Sequence, residues 1–343
     1  MKTDKKCLSI FVLLISLVLI PMMSCKGVEP TEGAKPEKLP YIRLYSDSSP
    51  FNQKIPINAE VDPNSDVMLQ SLKDAFEEGE FYIALKEWTV PVYFADENTP
   101  RYDVKLTADW AEAEFLKDVP IPDFSEPDPE DDGEMVIIDT DTGCEYDFWQ
   151  AKKKSGKWSA SWVNAIPYES DGIYPKGMSC RGAGFALLAG VIWPQELEEG
   201  KIEHALHFSY TFPKSGGPVL PATESDGWCD RDDAIPEGAR LQLDPNLDLE
   251  SLNLQPFEKT IAQALQEYGM ILGDCGGAGI ELEAIHPMSV QNNPYEGILP
   301  DDVLVYLSNI PIDRFRVLKL LPQTDPEIDL VPNRCTSWGE QER

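Results

Sequence analysis

The chain has 343 residues, of which 42% are hydrophobic and 10% aromatic. That is enough to bury a sizeable core and excludes a wholly disordered chain. Asp and Glu number 60 against 29 Lys and Arg, for a net charge of -31. Nucleic acid, which is bound through Lys and Arg, and anionic lipid held through charge are both excluded as partners.

Lys2, Lys5 and Lys6 precede an apolar run from Leu8 to Ile20, followed by Pro21-Met22-Met23-Ser24-Cys25. This is the layout of an export signal, and the run is short for a membrane span, which needs ~20 apolar residues. Ser24 before Cys25 resembles the processing site of bacterial lipoproteins, although Met22 stands where an aliphatic Leu is usual. The resemblance implies removal of residues 1–24 and lipid on Cys25. The domain would then be exported and lipid-anchored to the bacterial cell envelope, facing outside the cytoplasm. Residues 25–40, polar and rich in Pro and Gly, read as a flexible tether. Residues 41–320 read as a single domain. Residues 321–343 read as a polar tail that packs loosely unless Cys335 ties it down.

After Cys25 come Cys144, Cys180, Cys229, Cys275 and Cys335. In an oxidising compartment one or two disulfides can form and at least one thiol is left over; the pairing stays open. With no C-x-x-C pair, a zinc ribbon or a thioredoxin-type redox site is not expected.

Within the domain, Asp62-Pro63-Asn64-Ser65 ahead of Val67, Met68, Leu72 and Phe76 predicts a capped amphipathic helix over 64–78. Runs rich in β-branched and aromatic residues then predict strands at 90–95, 102–107, 135–139, 144–149, 202–211, 239–243, 280–285, 303–307 and 315–318. A short helix is predicted over 194–199, stopped by Gly200. A third, over 256–268, has Pro256 at its start, Phe257, Ile261, Leu265 and Tyr268 on one face, and Gly269 as a left-handed stop. About ten strands with two or three short helices predict a mainly β chain, an antiparallel β-sandwich or jelly roll.

The richest segment chemically is Cys144-Glu145-Tyr146-Asp147-Phe148-Trp149. Period-two alternation sends Glu145, Asp147 and Trp149 to one strand face. Acids at i and i+2 have Cα atoms ~6.6 Å apart, so their ends can span the separation used by paired acids in glycoside cleavage. Like charges that close raise one pKa, as a general acid requires. The arrangement is similar to that of laminarinase-type glycoside hydrolases, in which acids alternate along one strand of a sandwich. Here Trp149 and Gln150 stand where those enzymes carry a second Glu. A solvent-facing polar strand face would show the same pattern.

His204 shares a strand face with Ile202, Leu206 and Phe208, as a core histidine or as an acid/base group assisting the pair. Arg181, in SCRGAG at 179–184, can clamp a carboxylate such as that of a uronic acid, or balance a nearby acid. Trp158 and Trp162, four apart, share a strand face as either a stacking platform or core. Trp228 sits in the acidic loop 224–233 (ESDGWCDRDD). That loop and DTDTGCE at 139–145 carry hard oxygen ligands suited to Ca²⁺, the one cofactor the sequence brings to mind. Neither has EF-hand spacing, and 139–145 also reads as a turn between strands.

SPFNQKIP at 49–56, DGEMVIID at 132–139, CEYDFW at 144–149, GVIWPQEL at 190–197, GKIEHAL at 200–206, GARLQL at 238–243 and ALQEYGMILGD at 264–274 together resemble a widespread group of secreted bacterial proteins. The likeness covers most of 48–285 and implies a secreted, single β-rich domain. The resulting expectation is a surface-tethered carbohydrate-active enzyme cleaving an extracellular glycan. Glu145 and Asp147 would be its acid pair, Trp149 its sugar platform and His204 an assisting group. A polysaccharide lyase using His204 and Arg181 is a variant. A glycan-binding or structural envelope lipoprotein is the alternative.

Overall fold

The computed structural model describes residues 35–111, 113–327 and 333–336. Helix α1 (Ser65–Gly79) forms because Met68, Leu69, Leu72 and Ala75 recur on one face, and it buries that stripe. Strands β1 (Phe81–Ala84), β2 (Val92–Ala95), β3 (Arg101–Leu106), β4 (Phe115–Pro120), β5 (Met135–Asp139) and β6 (Cys144–Trp149) follow. Next come β7 (Lys152–Lys154), β8 (Lys157–Ala160), β9 (Trp162–Pro167), α2 (Pro194–Glu199), β10 (Leu206–Tyr210) and β11 (Arg240–Leu243). The chain continues through α3 (Pro256–Glu267), β12 (Met270–Cys275), β13 (Ile280–Glu283), β14 (Leu304–Tyr306) and β15 (Phe315–Val317). Gly200 and Gly269 stop α2 and α3 at φ +70° and +73°, the left-handed turn that Gly adopts without strain.

The chain is mainly β. Its strands form a seven-stranded sheet, β14-β1-β13-β10-β12-β11-β15, and two four-stranded sheets, β2-β5-β6-β9 and β4-β3-β8-β7. None closes into a barrel. The pairing is mixed rather than wholly antiparallel: β1·β13, β10·β12, β2·β5 and β3·β8 run parallel. Parallel neighbours need long crossovers, and the excursions between these strands supply them.

Three hydrophobic layers order the molecule. Helices α1 and α3 cover one face of the large sheet, where Leu72, Ile261 and Leu265 meet Phe81, Phe208, Leu272 and Leu282. On the other face, Ile271 and Ile285 share a core with Val136, Ile138 and Ile166 of the second sheet, with residues 183–193 threaded between. The far face of the second sheet, with Tyr93, Ile137, Phe148 and Val163, packs on Val104, Leu106, Trp158 and Ala160 of the third. Period two in each strand assigns alternate residues to these layers.

Cys144 at the start of β6 is bonded to Cys335, so the tail is tied down there. Gln323 Nε2 also donates to the Gly217 carbonyl, and Thr324 N–H to that of Pro218 at 2.9 Å. Cys180, Cys229 and Cys275 are free thiols. The expected tether is described only over 35–40, and there it is packed rather than free: Leu39 is buried and the Pro36 carbonyl accepts from Gln291 N–H at 3.0 Å. The export segment and Cys25 lie outside the described residues. Among the described residues no helix is long and apolar enough to cross a membrane.

Candidate active site

The layer between the first two sheets is filled by residues 183–193 at one end and open at the other. The open end is a cleft of about 1090 Å³. Strand β13 supplies Glu281 and Glu283 to it. Phe81 and Ile83 of β1 point into the helix-covered core, and β13 follows the same alternation with Ile280 and Leu282, so its two acids must face the cleft. The end of β12 brings Asp274, the residue before β5 brings Glu134, and β6 ends on Trp149 at the rim. Loops add Glu87, Trp88, Trp110, Asp128, Asp132, Glu224 and Asp226.

Arg181 is the sole cation among the described residues lining this cleft, and it is already engaged. Its two terminal nitrogens bind both oxygens of Glu283 at 2.8 Å, and one also donates to the Leu187 carbonyl at 2.9 Å. His207 lies beside both, its Nδ1 3.3 Å from Glu283. A Cβ on Gly273 would stand 2.4 Å from the His207 ring, so the position requires Gly. Burial would raise the Glu283 pKa, but the Arg181 charge and then His207 overcome it and hold the group ionised. Arg181 Nε is buried without a protein acceptor.

The other acids go the opposite way. Asp274 is pushed up to about 7 by burial and then by the Asp226 charge. Glu281, which accepts from Tyr82 Oη at 2.9 Å, rises to about 8 through burial and its neighbour Glu283. Glu224 rises to about 7 and Asp128 to about 6, both chiefly through burial. Asp226 and Asp274 flank Gly182. The Gly182 N–H points to Asp274 Oδ2 at 3.5 Å, and a Cβ on that glycine would stand 2.8 Å from Asp226 Cγ. Behind Asp226, Glu237 is raised to about 10 by burial and by its bond to Asp226, so it stays protonated. One cleft therefore holds an ionised carboxylate beside carboxyls that keep their protons near neutrality, the division of roles seen in acid/base sites.

Glu145 and Asp147 do share a strand face, but that face is sealed. Both are 0% exposed. Tyr45 Oη donates to Glu145 at 2.8 Å, the Leu188 N–H to Glu145 at 3.2 Å, and the Leu187 N–H to Asp147 at 3.1 Å. Burial raises the pKa of both, that of Asp147 to about 6. A sugar chain cannot reach them, and the expectation of an acid pair there is corrected by the threaded segment lying on top. Trp149 alone of that trio lines the cleft, its Nε1 donating to Asp132 at 3.1 Å.

His204 is not in a strand, because β10 begins at Leu206. It binds Glu196 at 3.0 Å in a separate cavity of about 160 Å³ beside Tyr41 and Trp193. Arg181 reaches the cleft but as the partner of Glu283, so the uronate clamp is also corrected. Trp158 and Trp162 belong to different sheets, since the chain breaks between β8 and β9. Trp158 is core, whereas Trp162 is buried with an edge on the cleft, 4.9 Å from the Trp110 ring. Trp228 is 58% exposed, packs on Phe212 and lies outside the cleft lining.

Loop 139–145 is used internally, whereas loop 224–233 divides, Glu224 and Asp226 lining the cleft and Asp233 being taken up in an ion pair. Asp139 accepts the Asp141 and Thr142 N–H groups in a turn and pairs with Arg101, while Asp233 pairs with Arg231. Among the described residues, no three His, Cys, Asp or Glu side chains are grouped as a metal ion requires.

Sequence reasoning passed over Glu134, Asp274, Glu281 and Glu283, and singled out Asp226 only as one of the oxygen ligands of an acidic loop. The alternation of Glu281 and Glu283 within a predicted strand carries the same signal as Glu145 and Asp147. The acid followed by glycines at Asp274-Cys275-Gly276-Gly277 marks a strand end opening into a loop. Trp88 and Trp110 carry no local signal. The chain matches no known protein family, no curated protein and no solved structure.

Proposed function

We propose that this chain is a carbohydrate-active enzyme that cleaves glycosidic bonds of an extracellular glycan, held at the cell envelope by lipid on Cys25. The observation that carries the reading is the cleft itself. Trp88, Trp110, Trp149 and Trp162 offer ring faces and edges to sugars, and Asp226 and Asp274 flank one glycine on its wall. In this reading Asp274, proton-bearing near neutrality, protonates the leaving oxygen. Asp226, steadied by the protonated Glu237, acts as nucleophile or base on the other side of the bond. Arg181 with Glu283 fixes the floor. The lyase variant loses its support because Arg181 is neutralised by Glu283.

The test is product release from a panel of polysaccharides by purified residues 26–343, with Asp274→Asn alongside. Cleavage lost in that variant while binding persists supports the assignment. Binding by the wild-type chain without products points instead to the non-catalytic glycan-binding lipoprotein. Labelling of Cys25 by a fatty-acid probe in the producing cell, lost in Cys25→Ser, tests the anchor.

A further inference from the structure

We infer that the cleft selects a cationic glycan, one whose sugars carry free amino groups, by direct contact between their ammonium groups and its carboxyl walls; this rests on the glycan reading above. Nine carboxyl groups line the cleft against one cation, and Glu283 already neutralises that cation. An anionic sugar would find no free cation on this wall to receive it.

A separate observation points to the missing ligand. Asp128 lines the cleft at 3% exposure; its Oδ2 accepts the Glu130 N–H at 3.1 Å, the Thr89 and Trp88 N–H groups also favour its charged form, and its Oδ1 has no donor at full hydrogen-bond distance. A buried acceptor left empty is costly, and an ammonium brings three donors and a charge. The neighbouring Trp88, 43% exposed, presents a ring face that also attracts a cation.

Carboxyls that hold protons in the empty cleft, Glu281 at about 8 and Glu224 at about 7, lose affinity for them when a cation enters. Binding therefore releases protons.

The experiment is calorimetric titration of the full mature chain at pH 6 with a glucosamine tetramer, its fully N-acetylated counterpart and a galacturonate tetramer, each in two buffers of different ionisation heat. The expected result is at least tenfold tighter binding of the glucosamine tetramer than of the acetylated one. Its heat should differ between the buffers in the sense of proton release, and the galacturonate should not bind. Asp128→Asn and Glu281→Gln, which keep the side-chain shape, should each shrink that preference. Equal affinity for the glucosamine and acetylated tetramers overturns this inference and leaves the glycan reading standing. No binding of any of the three, with cleft tryptophan fluorescence unmoved, overturns both.

Discussion

Strands β6 and β13 carry the same pattern and meet opposite fates. Each has two acids at i and i+2, Glu145 and Asp147 on one and Glu281 and Glu283 on the other, facing the layer between the two sheets. Over β6 lies the segment 183–193, whose Leu187 and Leu188 N–H groups bond to the two carboxyls. Over the outer end of β13 lies the cleft. The Leu187 peptide joins the two regions: its N–H serves Asp147 and its carbonyl serves Arg181, which in turn holds Glu283. Carboxyls under a lid brace the fold, and carboxyls beside an opening are free to do chemistry.

The comparison breaks most visibly in activity. Asp274→Asn should lower glycan cleavage roughly 10²–10⁴-fold, the usual worth of a general acid, while Glu145→Gln should leave it intact. The reverse outcome would return the active site to β6. The next largest effect is on stability. Arg181→Met leaves Glu283 buried without its partner and should cost about 3–5 kcal/mol in urea unfolding; a loss under 1 kcal/mol would show that the brace between the regions is dispensable. Cys335→Ser frees the tail from the start of β6 and should cost roughly 2–5 kcal/mol, read from the same unfolding curves.

Glu145→Gln sharpens the contrast further. Burial and then the Asp147 charge raise this acid and favour its neutral form, so a neutral replacement should cost only about 1 kcal/mol. The shallowest effect is on pH. Asp128, Asp147, Asp274, Glu224 and Glu281 have native values of about 6 to 8, above those of the unfolded chain. The native state therefore binds more protons than the unfolded one across pH 5–8, and stability falls as pH rises. His207 and His286, lowered mainly by burial, oppose this below about pH 6.5 but are outnumbered. Tm should drop from pH 5 to pH 8; a rise would show that the buried acids are ionised.

Local pattern was a good guide to elements. β5 and β6 begin and end where their β-branched runs and bounding turns place them, and α2 and α3 stop at their glycines. It was a poorer guide where two strands abut. Trp158 and Trp162 look like one strand, but Ser161 turns the chain from the third sheet to the second. It failed for His204 because the apolar run begins before the strand does. Of the proposed site residues, Trp149, Trp162 and Arg181 do line the cleft, each because its strand or loop ends there.

The sequence alone specifies the mainly β character of the chain, its acidity and which residues share each strand face, because these follow from side-chain chemistry and the two-residue repeat. It could not say which acidic face would be covered. That depends on where residues 183–193 come to lie, on Cys335 returning to Cys144, and on loops more than a hundred residues apart meeting at one rim. Burial, and with it every pKa and every chance of meeting a ligand, is a property of the packed layers rather than of any strand.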